Sequence, residues 1–177
     1  MPDWKESKDF EESANKAWRQ TLSSYFEPEL IKVQCYDFDI DIQSNHWDKM
    51  LIFRGSESAK RIELKTRTEK YYKTFLNDQT LVFETIGNIE RNTLGSSVFN
   101  SNAEYWGYGF YVPNINENII MQPQIFFRPE LADYLKRNIR NYPTANTETN
   151  GLYHTKFIFV KVPEVEKFKV RPTIKFW

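Results

Sequence analysis

The amino-acid sequence predicts an α/β domain in which a mixed central sheet is flanked by helices. Three patterns carry that expectation: a helical stripe near the start, a series of short alternating strands after it, and a second helical stripe followed by a strand near the end. With 177 residues, 40% of them apolar and 16% aromatic, the chain is long enough to bury one core and too apolar to remain disordered. A single domain over residues 1–177 follows.

Residues 7–25 place Phe10, Ala14, Ala17, Trp18, Thr21, Leu22 and Tyr25 on one helical face. Glu11 lies at the edge of that stripe, and Pro28 ends the segment. Ile31 to Ile42 alternates as a strand and carries Asp37, Asp39 and Asp41 on one face. Like charges in such a row repel and belong to a solvated surface. A polar turn from Gln43 to Trp47 leads to a short strand from Lys49 to Phe53 and, after a second turn, to a strand from Lys60 to Thr66.

Thr66 to Thr80 is polar, basic and aromatic and reads as a mobile loop. Leu81 to Ile86 and the aromatic Glu104 to Val112 read as strands. Leu131, Leu135 and Ile139 define a helix from about Pro129 to Arg140. Asn141 to Gly151 then reads as a loop and Tyr153 to Val162 as the last strand.

Lys plus Arg and Asp plus Glu stand at 24 each, so no global positive field marks the chain as a nucleic-acid binder, and any such binding must use local patches. The single cysteine, Cys35, excludes an internal disulfide, and no Cys/His spacing suggests zinc. A charged N-terminus and the lack of any span-length apolar run lead us to expect a cytoplasmic protein with no membrane partner, or one acting in host cytoplasm if viral.

The chemistry-bearing stretch is Arg61-Ile62-Glu63-Leu64-Lys65. On a strand, Ile62 and Leu64 share one face while Glu63 and Lys65 share the other. Acid-x-Lys occurs three times in the chain, but only here within an alternating strand preceded by a strand that opens on an acid, Asp48. Two carboxylates suit Mg²⁺, which takes hard oxygen ligands and keeps several waters. An adjacent lysine can hold an attacking water or stabilise charge on a phosphate. Asp48 and Glu63 are the candidate metal ligands, and Lys65 is the candidate catalytic cation.

The order of these elements resembles the PD-(D/E)xK nuclease superfamily, in particular its compact Holliday-junction-resolvase-like and phage or viral members. His46-Trp47-Asp48-Lys49-Met50-Leu51 is similar to the family's Asp-Lys/Arg-x-Leu strand, and Glu63-Leu64-Lys65 to its Glu-Val-Lys strand. Glu84-Thr85, Asn88, Gly95 and Ala103-Glu104-Tyr105 look like the continuation found in small phage members. Trp47 stands where the superfamily's name has proline, and Gly95-Ser96-Ser97 where relatives often show Gly-Trp.

The resemblance implies a restriction-endonuclease-like fold with a core at about 8–112 and a helix–strand extension at about 113–177, and Mg²⁺-dependent hydrolysis of DNA phosphodiesters, with Mn²⁺ as a substitute cation. It favours an endonuclease over an exonuclease, branched or structured DNA as substrate, and a homodimer if two symmetric cuts are made. Glu11 and Glu84 are candidate additional carboxylates, while Arg67, Lys70, Tyr71, Tyr72, Lys73 and Arg91 are candidates for gripping phosphates and stacking bases. The rival reading is a nuclease-like fold that binds nucleic acid or protein without cutting.

Overall fold

A computed structural model of the chain describes residues 4–27, 29–35, 48–94, 98–113, 115, 118–149 and 153–171. Helix α1 spans Trp4–Tyr25 and is followed by β1 (Leu30–Cys35), β2 (Lys49–Phe53) and β3 (Lys60–Arg67). Helix α2 (Glu69–Asp78) leads to β4 (Thr80–Asn88), the two-residue β5 (Thr93–Leu94), β6 (Tyr105–Phe110) and β7 (Met121–Phe127). Helix α3 (Arg128–Asn138), β8 (Thr144–Thr149), β9 (Tyr153–Lys161) and the one-turn α4 (Val162–Val165) complete the order. Asp37, Asp39, Asp41, His46, Trp47 and Gly95 lie outside the described residues.

Five strands form a mixed sheet in the order β1-β2-β3-β6-β7. The pairs β1–β2, β2–β3 and β6–β7 are antiparallel, whereas β3 and β6 are parallel. A second, antiparallel sheet holds β4, β9 and β8, with β5 beside β4 at its edge. A parallel neighbour requires a crossover, and the chain from β3 to β6 supplies one that contains α2 and the β4–β5 hairpin.

Helix α1 covers one face of the mixed sheet. Ala14, Ala17, Trp18 and Leu22 are buried there with Val33, Leu51, Ile62 and Ile125. The close approach depends on two glycines in β6. A Cβ on Gly109 would lie 2.2 Å from Ile120 Cγ2 and 3.3 Å from the Trp18 ring. A Cβ on Gly107 would lie 2.7 Å from Leu64 Cδ2. Trp18 is fixed in that space by its indole N–H, which donates to Thr66 Oγ1 at 2.8 Å. The opposite face carries Trp106, Tyr108, Phe110 and Phe126, which pack with Phe75 of α2, Leu81 and Phe83 of β4, and Ile158 and Val160 of β9.

Two segments expected to be loops are regular. Residues 69–78 form α2 because Tyr72 and Phe75, three residues apart, bury one narrow stripe against Phe110, with ring centroids 5.6 and 4.9 Å away. The helix closes on Gln79 in the left-handed region (φ 52°), whose N–H donates to Phe75 O at 2.8 Å, so the glycine that usually marks such an end is missing. Thr144–Thr149 pairs with β9 as the edge strand β8. Its side chains are mostly exposed, so the sequence shows no alternation there.

Strand β7 had no assignment from the sequence. Pro123 falls inside it, which is tolerated because β7 borders the sheet and, among the described residues, has only an isolated bridge, Phe126 to Lys169, beyond it. Among the described residues no helix is long and apolar enough to cross a membrane.

The stiff γ2 methyl of Ile120 cannot rotate away from a new Cβ as easily as the far end of Leu64 can. Gly109→Ala should therefore cost about 1–3 kcal/mol of stability and Gly107→Ala distinctly less, as read from denaturant midpoints of the two variants.

Candidate functional site

The site is built on the two faces of β3. Ile62 is fully buried on the α1 side, with Leu64 beside it. Alternation sends Arg61, Glu63, Lys65 and Arg67 to the other face. There the parallel register sets Glu63 against Trp106, Lys65 against Tyr108 and Arg67 against Phe110. The charged row therefore lies along an aromatic row that belongs to the core, where charges are poorly hydrated and act strongly on one another.

Asp48 enters from the head of β2. Its N–H donates to Ile62 O at 2.9 Å, and its Oδ2 accepts the Leu64 N–H at 2.6 Å. The next residue, Lys49, sits opposite Ile62 and is only 2% exposed, with its ammonium donating to Asn15 Oδ1 of α1 at 3.1 Å. With Lys49 committed to the α1 side, alternation directs Asp48 to the side of Glu63. Asp48 is crowded by protein yet keeps an open flank to solvent. Burial pushes its carboxyl up, while the Leu64 amide and the charges of Lys49 and Lys65 pull it down. The open flank moderates the rise.

Glu63 makes no hydrogen bond or ion pair among the described residues. Burial first, and the Asp48 charge second, push its carboxyl up from 4.5 to about 8, against the pull of Lys65. Burial and the neighbouring Arg67 lower the Lys65 ammonium, while Glu84, Glu63 and Asp48 raise it. The structure thus brings Asp48, Glu63 and Lys65 within one electrostatic neighbourhood. Glu84 joins it from β4, although that strand belongs to the second sheet.

The other candidates divide. Glu11 is exposed on α1, the helix covering the opposite face, and is not brought to Glu63. Arg67 lies near two rings, with its guanidinium carbon 5.6 Å from the Tyr71 centroid and 5.9 Å from that of Tyr108. Lys70 and Lys73 are exposed on α2, and the Lys70 ammonium is 5.7 Å from the Tyr71 centroid. Tyr72 turns inward onto Phe110 and serves the core instead of a ligand surface. Arg91 sits exposed in the turn after β4, its N–H donating to Asn88 Oδ1.

Two partnerships were not foreseen. Arg61 donates to Glu104 from its backbone N–H at 2.7 Å and from its guanidinium at 3.2 and 3.1 Å, so the first member of the charged row is neutralised. His154 has its Nδ1 2.6 Å from Glu90 Oε1. That hydrogen bond holds the Glu90 carboxyl down at about 2 and raises His154. Pairings across different strands leave no mark in local sequence.

Among the described residues no group of three or more His, Cys, Asp or Glu side chains converges as a metal cage. The donor set at β2–β3 is two carboxylates, which fits Mg²⁺ or Mn²⁺ better than zinc. No protein-family model, curated protein or solved structure matches the chain.

In metal-free protein Glu63 should titrate near pH 8, and Asp48→Asn should lower that value by removing a raising charge. Because the folded-state value lies above the ordinary 4.5, the stability Glu63 contributes is complete at low pH and is lost as pH rises toward about 8. Carboxyl carbon NMR reads the titration. Denaturant midpoints across the same window should fall for the wild type in chelator and flatten for Glu63→Gln.

Proposed function

We propose that the protein is a Mg²⁺-dependent deoxyribonuclease with Asp48 and Glu63 as metal ligands and Lys65 as its catalytic cation. The observation that carries this reading is Glu63: a carboxylate pushed up to about 8, with no protein partner among the described residues, facing a second carboxylate. Such a pair is costly unless a cation compensates it. When bound, the ion would neutralise the phosphate oxygens and lower the pKa of a coordinated water.

The chain's own residues would do the rest. The Leu64 N–H holds one oxygen of Asp48 at 2.6 Å and leaves the other available. Lys65, one strand step of roughly 6.6 Å from Glu63, would donate to the phosphate or to the attacking water. Trp106 and Tyr108 line the floor opposite Glu63 and Lys65 and restrict water there.

The order helix, three antiparallel-paired strands, helix and, after the intervening β4–β5 hairpin of the second sheet, a strand parallel to the third supports the finer reading of a restriction-endonuclease-like core, with that hairpin as an insertion. Endonucleolytic action, a preference for branched or structured DNA, and homodimerisation extend the same proposal. The zero net charge favours the rival, a fold that binds without cutting, and the cleavage assay separates the two.

Purified protein should cut DNA substrates (linear, nicked, single-stranded and four-way) with Mg²⁺ or Mn²⁺ and not with chelator. Asp48→Ala and Glu63→Gln should abolish cleavage, and Lys65→Met should slow it by about 10²–10³-fold. Metal-dependent DNA affinity with no cleavage under any of these conditions would select the non-cutting rival.

A further inference from the structure

Resting on the reading above, we infer that Arg67, Lys70 and Tyr71 form a subsite for an unpaired nucleotide strand, in which Arg67 takes the phosphate next to the one at Lys65 and Tyr71 stacks a base. Arg67 follows Lys65 by two residues on the same face of β3, a step of roughly 6.6 Å, comparable to the distance between successive phosphates of an extended strand. Both cations therefore lie along the track that one nucleotide backbone would follow.

The guanidinium of Arg67 is positioned but not neutralised. It makes no ion pair among the described residues and is flanked by the rings of Tyr71 and Tyr108. Its Nε is buried without an acceptor. Contrast Arg61 on the same row, which is paired with Glu104. A planar cation stacked on aromatic rings is preorganised for a phosphate.

Tyr71 sits in the first turn of α2 and is 45% exposed, while its neighbour Tyr72 is turned into the core. Arg67 and Lys70 both lie within 6 Å of its ring centre, at 5.6 and 5.7 Å. An exposed ring beside unpaired cations is a stacking platform, and stacking requires a base that is not already in a duplex. Overall charge points the same way. With 24 basic and 24 acidic residues, the chain carries no net positive charge to add to the affinity that many phosphate contacts give duplex DNA. Affinity must come from few phosphates plus stacking, which selects a single strand, a flap or a frayed end.

The test measures binding of fluorescein-labelled oligo(dT) and of a blunt duplex of the same length, by anisotropy in chelator so that no cleavage occurs. Wild type should prefer the single strand. Tyr71→Ala should weaken that binding by roughly 5- to 150-fold, the range of one base stack, while Tyr71→Phe retains it. Arg67→Gln should reduce the salt slope of log K by about 0.7, the share of one phosphate contact. Equal or tighter binding of the duplex, or a single-strand affinity indifferent to Tyr71→Ala, overturns the inference. Metal-dependent cleavage that persists alongside that outcome leaves the nuclease reading standing. Tyr71-dependent single-strand binding without cleavage in Mg²⁺ or Mn²⁺ keeps the subsite and removes the nuclease.

Discussion

Strand β3 has to satisfy two incompatible surroundings at once, and the rest of the molecule is arranged around that demand. Its even positions, Ile62 and Leu64, face helix α1, and its odd positions carry charge. A shift of one residue would bury four charges under α1 and send the aliphatics to the other side. Register is therefore held from both flanks. Lys49 pairs with Ile62 on one side, and six consecutive partners from Ile62–Tyr105 to Arg67–Phe110 fix the other. The carboxylate of Asp48 adds a side-chain bond to the Leu64 amide, so one candidate ligand also helps to hold the strand that bears the second.

Helix α1 reaches this arrangement without touching the charged face. Asn15 takes the buried ammonium of Lys49 at 3.1 Å, and Trp18 bonds Thr66 at 2.8 Å, two residues beyond Leu64. Both contacts pin strands that carry the candidate residues on their far side. The glycines of β6 allow the helix close enough to make them. Packing on one face is thus converted into placement on the other, with the backbone of β2 and β3 as the rigid connection.

The legible part of this was the part set by local period. The α1 stripe, the alternation of β3 and the helix around Leu131 and Leu135 each bury a face that a window of the sequence displays. What stayed hidden has a common cause: it depends on partners distant in sequence. Residues 69–78 bury only a narrow stripe, so their helical period is masked by Lys70, Tyr71 and Lys73. Strand β8 takes its structure from β9 and not from its own pattern. In the candidate site, the shared face of Glu63 and Lys65 follows from spacing alone, whereas Glu84 acts on Lys65 from another sheet. Glu11 lies away from Glu63 for the converse reason: a position at the edge of a helical stripe does not tell which face of the sheet that helix covers.

Charge balance around Lys65 explains how a chain with no net charge could still attract a phosphodiester. The groups acting on it are Arg67 on one side and Glu84, Glu63 and Asp48 on the other. Among these groups three carboxylates face two cations, a sum of one unit negative once Glu63 has lost its proton, which in metal-free protein happens only near pH 8. Under the proposed function a divalent ion would turn that to one unit positive, matched to the single negative charge of a phosphodiester. Burial sharpens both states, since the aromatic floor of Trp106, Tyr108 and Phe110 weakens screening. Affinity for the scissile phosphate would then be conditional on the metal and confined to the point of reaction. A broadly basic surface would bind duplex at any metal concentration, so the equal numbers of acidic and basic residues are consistent with attraction concentrated at one site.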